Sequence, residues 1–216
     1  LSGRPGPVVL VLPEDMLYDE IVVPAAPRVA AAPRYQPSPY AMEQFRVRLA
    51  QAERPLIMIG GGGWSEKGIA ALAQFAKAQG IPVTVSMRAQ GLIDNDHPNY
   101  VGHFSVGPTP YLKDALDGSD LLIAIGPRLG EMTTQGYQWL KPPIAHIPLV
   151  HVFPQPEELG RVYEPELALA SDTESFCCAV AEWEPIAVDR FSARTADLRT
   201  QFETYIAPSA VLDDPL

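Results

Sequence analysis

Four consecutive glycines, Gly60–Gly63, follow the apolar run Pro55–Ile59 and precede a helical pattern. A strand-to-helix turn of this kind suits one chemistry. Without Cβ atoms the backbone can come close to a ligand, and a helix N-terminus offers free N–H groups and the positive end of a dipole, which together hold phosphate. The dinucleotide fingerprint G-x-G-x-x-G is met in part, by Gly60 and Gly62, with Ser65 standing at the third glycine. No Asp or Glu closes the second strand, where Val85, Ser86, Met87 and Arg88 stand, so a ribose-binding carboxylate is missing and an ordinary NAD site is not expected. A pyrophosphate cradle and a tight turn without a ligand both remain open. A second stretch, Gly126–Glu131, follows the run Asp120–Ile125. Its Arg128 can pair with a phosphate, or with an acidic side chain such as Glu131. Met132–Tyr137 adds hydroxyl and amide groups to the same mouth.

The remaining chemistry-bearing residues point elsewhere. Asp94, Asp96 and His97 are metal-ligand types, yet Asp-Asn-Asp-His-Pro is the composition of a turn held by local hydrogen bonds. Too few ligands converge there for a cation. His103 and His146 are isolated, and His151 lies in a strand, where a hydrogen-bonded core residue is expected. Cys177 and Cys178 sit inside an apolar helix as small hydrophobes. Adjacent cysteines make neither a structural disulfide nor a zinc site, and a cytoplasmic chain is expected. No Ser/His/Asp or Cys/His arrangement is evident. Neither a catalytic nor a metal-ligating residue is expected in this chain.

The elements that must position the two glycine loops alternate. Ser38-Pro39 caps a helix carrying Met42, Phe45 and Leu49. Strands are expected at Pro55–Ile59, Pro82–Val85, Asp120–Ile125, Pro148–Phe153 and Leu167–Ala170, with an irregular loop over 86–107. Helices are expected from Ile69 to a stop at Gly80, around Pro110–Leu116, after Asp172, and over Leu198, Phe202 and Tyr205. Continuous apolar strands alternating with helices predict a doubly wound α/β fold: a mainly parallel, Rossmann-like, six-stranded sheet with helices on both faces. Ligands of such sheets lie at the carboxyl ends of the strands, where the loops from Gly60, Ser86 and Gly126 begin.

Residues 7–12 read as a short buried strand. Between Pro24 and Pro39 stand five prolines, five alanines and no acidic residue, a composition that stays extended. The expected organisation is therefore a remnant of a preceding domain at 1–23, a linker at 24–37, a central nucleotide-binding-like domain at 38–185, and a linker or helix at 186–216. The opening Leu-Ser-Gly lacks an initiator Met and reads as an internal cut. With 216 residues, 47% apolar, the chain can bury a core. A net charge of −10, with sixteen scattered basic residues, argues against a nucleic-acid partner, and no apolar run is long enough for a membrane span.

Taken together, Arg54–Gly62, Gly80–Val83, Asp96–Pro98 with Gly102, Asp120–Arg128 and Ala170–Asp172 resemble the central domain of thiamine-diphosphate-dependent enzymes of the acetolactate synthase type. Gly3–Pro7 with Val11–Asp15 is similar to the end of that family's pyrimidine-binding domain, so the resemblance covers 3–185. It implies a three-domain parent acting on 2-keto acids as a transferase or lyase, using thiamine diphosphate and Mg and assembling as a homo-oligomer. The activating glutamate and the metal-binding Gly-Asp-Gly belong to the other two domains, and no Gly-Asp-Gly occurs here. By itself this chain is expected to be inactive. For the central domain the resemblance implies FAD, ADP or CoA, or no ligand, with Gly60, Gly61, Gly62, Gly126 and Arg128 at the matching nucleotide-contacting positions. The family's Ile-Asp-x-Asp-Pro stretch is replaced by His151–Pro156, without either aspartate. Two other readings are a free-standing nucleotide or flavin carrier and a sirtuin-like deacylase, the latter lacking its four zinc-spaced cysteines.

Overall fold

The computed structural model describes residues 7–22, 33–107 and 109–208. The chain divides into two units, Leu1–Arg34 and Tyr35–Leu216. In the first unit, the expected strand at 7–12 is absent. Those residues form no strand, and Val8, Val9 and Leu10 are exposed. A strand needs a neighbour to take its N–H and C=O groups, and the described residues of this unit offer none. One 3-10 turn, Glu14–Tyr18, follows. Residues 24–32 of the expected Pro/Ala-rich linker lie outside the described residues.

The second unit is built on a six-stranded, all-parallel sheet: β1 (Pro55–Ile59), β2 (Val83–Val85), β3 (Tyr100–His103), β4 (Leu121–Ile125), β5 (Leu149–Phe153) and β6 (Leu167–Ala170), in the order β3-β2-β1-β4-β5-β6. Five of these strands lie where the apolar runs placed them. β3 falls inside the stretch expected to be an irregular loop. Its four residues are broken by Gly102 at φ +108°, and its register with β2 shifts, so no period-two pattern marks it.

Among the described residues, five α-helices surround the sheet: α1 (Pro39–Gln51), α2 (Glu66–Gln79), α3 (Pro110–Asp117), α4 (Thr173–Ala181) and α5 (Val188–Ile206). The expected caps are present. Ser38 Oγ accepts from the Ala41 N–H at 3.1 Å, Asp172 Oδ1 accepts from the Ser175 N–H at 2.8 Å, and Gly80 ends α2 at φ +71°. Strand residues alternate between two buried faces. Ile57, Ile59, Ile123 and Ile125 meet Phe45, Leu72, Phe75 and Phe176 of α1, α2 and α4, while Leu56, Met58, Leu122 and Ala124 meet Leu112 and Leu116 of α3. Helices thus cover both faces, as the continuous apolar strands predict. Residues 188–206, expected as a linker or helix leaving the domain, form α5, which buries Phe191 and Phe202 in the first layer and Leu198 in the second.

Candidate functional site

The strand order reverses between β1 and β4, from which the chain winds outward in both directions, and a doubly wound sheet opens its crevice at such a point. Gly60 and Gly126 are the first residues beyond these two strands. Their backbones cross closely. The Gly60 N–H donates to the Ile125 carbonyl at 3.2 Å, and the Gly126 N–H donates to the Val152 carbonyl at 2.9 Å. A Cβ on Gly60 would stand 1.9 Å from Ser86 Oγ, one on Gly61 2.1 Å from the Gly126 carbonyl oxygen, and one on Gly126 2.5 Å from that of Gly60. Gly61 and Gly126 also hold φ of +71° and +84°. Gly61 and Gly126 are required by the crossing of the two loops and Gly60 by the Ser86 side chain beyond β2, reasons different from the ligand approach inferred from the sequence. Gly62 and Gly63 face open space, with nothing within 4 Å of an added Cβ, although Gly63 holds φ at +80°.

Side chains with no warning in the motif occupy the crossing. The Trp64 indole folds back so that its Nε1–H donates to the Gly60 carbonyl at 2.8 Å, and its nitrogen lies 3.4 Å from the place of a Gly126 Cβ. Thr173, at the start of α4, puts its methyl 3.2 Å from that same place and donates through Oγ1 to the Gly63 carbonyl at 3.3 Å. At the N-terminus of α2, Ser65 Oγ accepts from the Gly68 N–H at 3.1 Å and donates to Glu174 Oε2 at 2.7 Å. The cap therefore already has a carboxylate partner, which complements the helix dipole. The α2–α4 approach that brings Glu174 there is close: a Cβ on Gly68 would lie 3.1 Å from Glu174 Cα.

Arg128 pairs with Glu158, not with Glu131: its Nε donates to Oε1 at 2.8 Å, and Arg161 reaches the other oxygen of the same carboxylate at 3.4 Å. This pair borders a cleft of about 360 Å³ lined by Arg128, Met132, Tyr137, Glu158 and Val162. Glu158 is 30 residues beyond Arg128, so only the fold brings the two together.

The histidines are structural in their surroundings. His151 is 3% exposed in β5, and its Nε2 lies 2.9 Å from the Pro127 carbonyl. A carbonyl only accepts, so the proton sits on Nε2. Burial holds this imidazole below the usual 6.5, against the opposing pull of Pro127 and Glu158. His97 is also lowered, by burial first and then by Lys77. Its Nδ1 accepts from the Asn99 N–H at 3.2 Å, and Asp94 Oδ1 accepts from the Asp96 N–H at 2.9 Å, the expected turn. Among the described residues no three His, Cys, Asp or Glu side chains gather around a metal position. Both histidines favour the neutral form when folded. Their contribution to stability is complete above 6.5 and is lost as pH falls from there through the lowered folded values. Urea midpoints measured from about pH 8 to about pH 5 should fall over that window, and His97→Gln with His151→Gln should flatten the slope. An unchanged slope in the double variant would assign the acid loss to other groups.

A doubly wound, parallel domain with a glycine-built crevice at its switch point is the class that fold and site define. The family model described as "Thiamine pyrophosphate enzyme, central domain" matches residues 42–180, and the chain belongs to that family as a central domain. It is 30% identical over 183 residues to the acetolactate synthase isozyme 2 large subunit of Escherichia coli K12, covering 84% of this chain and 32% of that protein. It is 32% identical over 191 residues to the glyoxylate carboligase of Escherichia coli O157:H7, covering 84% and 30%. An X-ray structure from Mycobacterium smegmatis, described as a thiamin diphosphate-dependent enzyme, shares the fold with a TM-score of 0.54 at 22% identity, over 78% of this chain and 32% of the other. The chain spans about a third of the length of the curated relatives it matches. Among the described residues no helix is long and apolar enough to cross a membrane.

Proposed function

We propose that this chain is the central domain, with flanking segments, of a longer thiamine-diphosphate-dependent enzyme that acts on 2-keto acids by carboligation or decarboxylation. The observation that carries this is the family match over 42–180, which runs from within α1 through all six strands into α4. The division proposed from sequence, with 1–23 belonging to a pyrimidine-binding domain and 24–37 to a linker, accords with a separate first unit ending at Arg34. In the longer enzyme, thiamine diphosphate and magnesium would be held by residues of the neighbouring domains, and this domain would hold those neighbours in register within a homo-oligomer. Two free, adjacent cysteines, Cys177 and Cys178, suit the reducing cytoplasm. Gly60, Gly61, Gly62, Gly126 and Arg128 are proposed as the rim of the nucleotide crevice, the place FAD or ADP would take in this domain. Gly62, open to approach, and Arg128, on the border of a cleft, support that assignment. The crossing of the loops and the carboxylate at α2 do not fit a diphosphate as they stand.

The test is turnover. Supplied with thiamine diphosphate, magnesium and pyruvate, the 216-residue chain should form no acetolactate, acetaldehyde or carbon dioxide, because the residues that activate the cofactor are not among its own. Product formation that copurifies with the chain through successive columns would overturn the reading.

A further inference from the structure

The crevice at the switch point is filled by the chain's own side chains. Trp64 lies on the Gly60–Gly126 crossing, held by its hydrogen bond to the Gly60 carbonyl, and Thr173 closes the same place from α4. The indole is also packed against the core of the α1–α2–α4 face, so it cannot swing out without loss of apolar contact. At the N-terminus of α2, where a doubly wound domain presents N–H groups to phosphate, Glu174 is bonded to the capping Ser65. A diphosphate placed there would meet a like charge across a short distance, and would also have to displace the indole. Nearby, Arg128, the one guanidinium among the rim residues, is engaged by Glu158.

We propose that this is a self-plugged central domain: Trp64 and Thr173 occupy the β1–β4 crevice and Glu174 takes the anion's place at α2, so the native fold excludes FAD and ADP. The inference rests on the crevice assignment made above. It predicts a gain of binding on removal of the plug, which a tight turn without a latent site would not give. It also gives Trp64 a role that the glycine motif does not require.

The experiment titrates FAD and ADP by equilibrium dialysis against the 216-residue chain. The variants are Trp64→Ala, Trp64→Leu, Trp64→Ala with Glu174→Gln, and Gly62→Val. Circular dichroism melting curves select the variants that remain folded. Trp64→Leu keeps part of the apolar packing and serves if the alanine variants do not fold. The native chain should show no saturation up to about 1 mM ligand, and the plug-removed variants should saturate at least about tenfold below that limit. A folded Trp64 and Glu174 double variant, or a folded Trp64→Leu, that still fails to bind would overturn the plug. Saturable binding by the native chain that Gly62→Val removes would overturn the plug while leaving the crevice where it is placed. Saturable binding that Gly62→Val leaves untouched would overturn both.

Discussion

A chain cut after residue 185 should lose cooperative unfolding, although the cut falls beyond the stretch matched by the family model. Helix α5 contributes Phe191 and Phe202 to one core layer and Leu198 to the other, each at most 8% exposed. Losing the burial of three such side chains forfeits about 5–9 kcal/mol, at roughly 1.5–3 kcal/mol each. That is comparable to the whole stability of a typical domain, about 5–15 kcal/mol. Polar losses add to it. Thr195 Oγ1 donates to the Gly80 carbonyl at 2.7 Å, where α2 ends. Arg194 reaches the carbonyls of Pro55 and Ala115 and the Ser119 hydroxyl, bridging β1 to α3 from a half-buried position. Burial and the field of Arg54 bring its guanidinium down to about 10, still charged at neutral pH. Arg199 ties the carbonyls of Asn95, His97 and Tyr100 to α5, fixing the loop that leads into β3. Urea unfolding of chains ending at 185 and at 208 measures the difference. Equal midpoints for the two would show that α5 is an appendage and not part of the core.

Much of this fold is legible in the amino-acid sequence because its evidence is local. β1 and β4 are unbroken apolar runs too short for helices, and burial on both faces follows from them. Ser38-Pro39, Gly80 and Asp172 mark helix ends through interactions that span only a few residues. What escaped depends on partners distant along the chain. The spacing of Leu198, Phe202 and Tyr205 reveals a helix, yet nothing in it tells whether the apolar side faces this sheet or a different domain. β3 is a strand because Val83 and Val85 supply its partners, in spite of a glycine in its middle. Val8–Leu12 has strand composition and, among the described residues, no partner strand. The same division runs through the candidate site. Gly60, Gly61 and Gly126 are conspicuous in the sequence and do converge. The reasons depend on partners distant along the chain: Ser86 beside Gly60, and the opposite loop beside Gly61 and Gly126. Trp64, Thr173 and Glu174 carried no motif at all, and Arg128 could not have been matched to Glu158 from spacing.

Substituting Gly61 and Gly62 by alanine, one at a time, should give opposite results in neighbouring positions. At Gly61 the new methyl would stand 2.1 Å from the Gly126 carbonyl oxygen and 3.0 Å from its carbon, and the residue must also hold φ at +71°. The obstacle is backbone at the end of β4, whose own N–H is tied to β5, so it cannot rotate aside as a flexible side chain would. Left-handed strain and overpacking each cost about 1–3 kcal/mol, and together about 3 kcal/mol or more is expected from Gly61→Ala. At Gly62 an added Cβ meets nothing within 4 Å, and the backbone needs no positive φ. There alanine should be neutral, or stabilising by about 0.4–1 kcal/mol, because it narrows the freedom of the unfolded chain. Gly126→Ala should resemble Gly61→Ala, since its methyl would lie 2.5 Å from the Gly60 carbonyl at φ +84°. The combined Gly61→Ala, Gly126→Ala chain should cost less than the sum of the two, because either methyl alone already forces the same pair of loops apart. Urea midpoints at constant denaturant dependence are the measure. If Gly61→Ala proves as mild as Gly62→Ala, the crossing has room to spare, and the glycines at 61 and 126 would then need a ligand's approach to account for them.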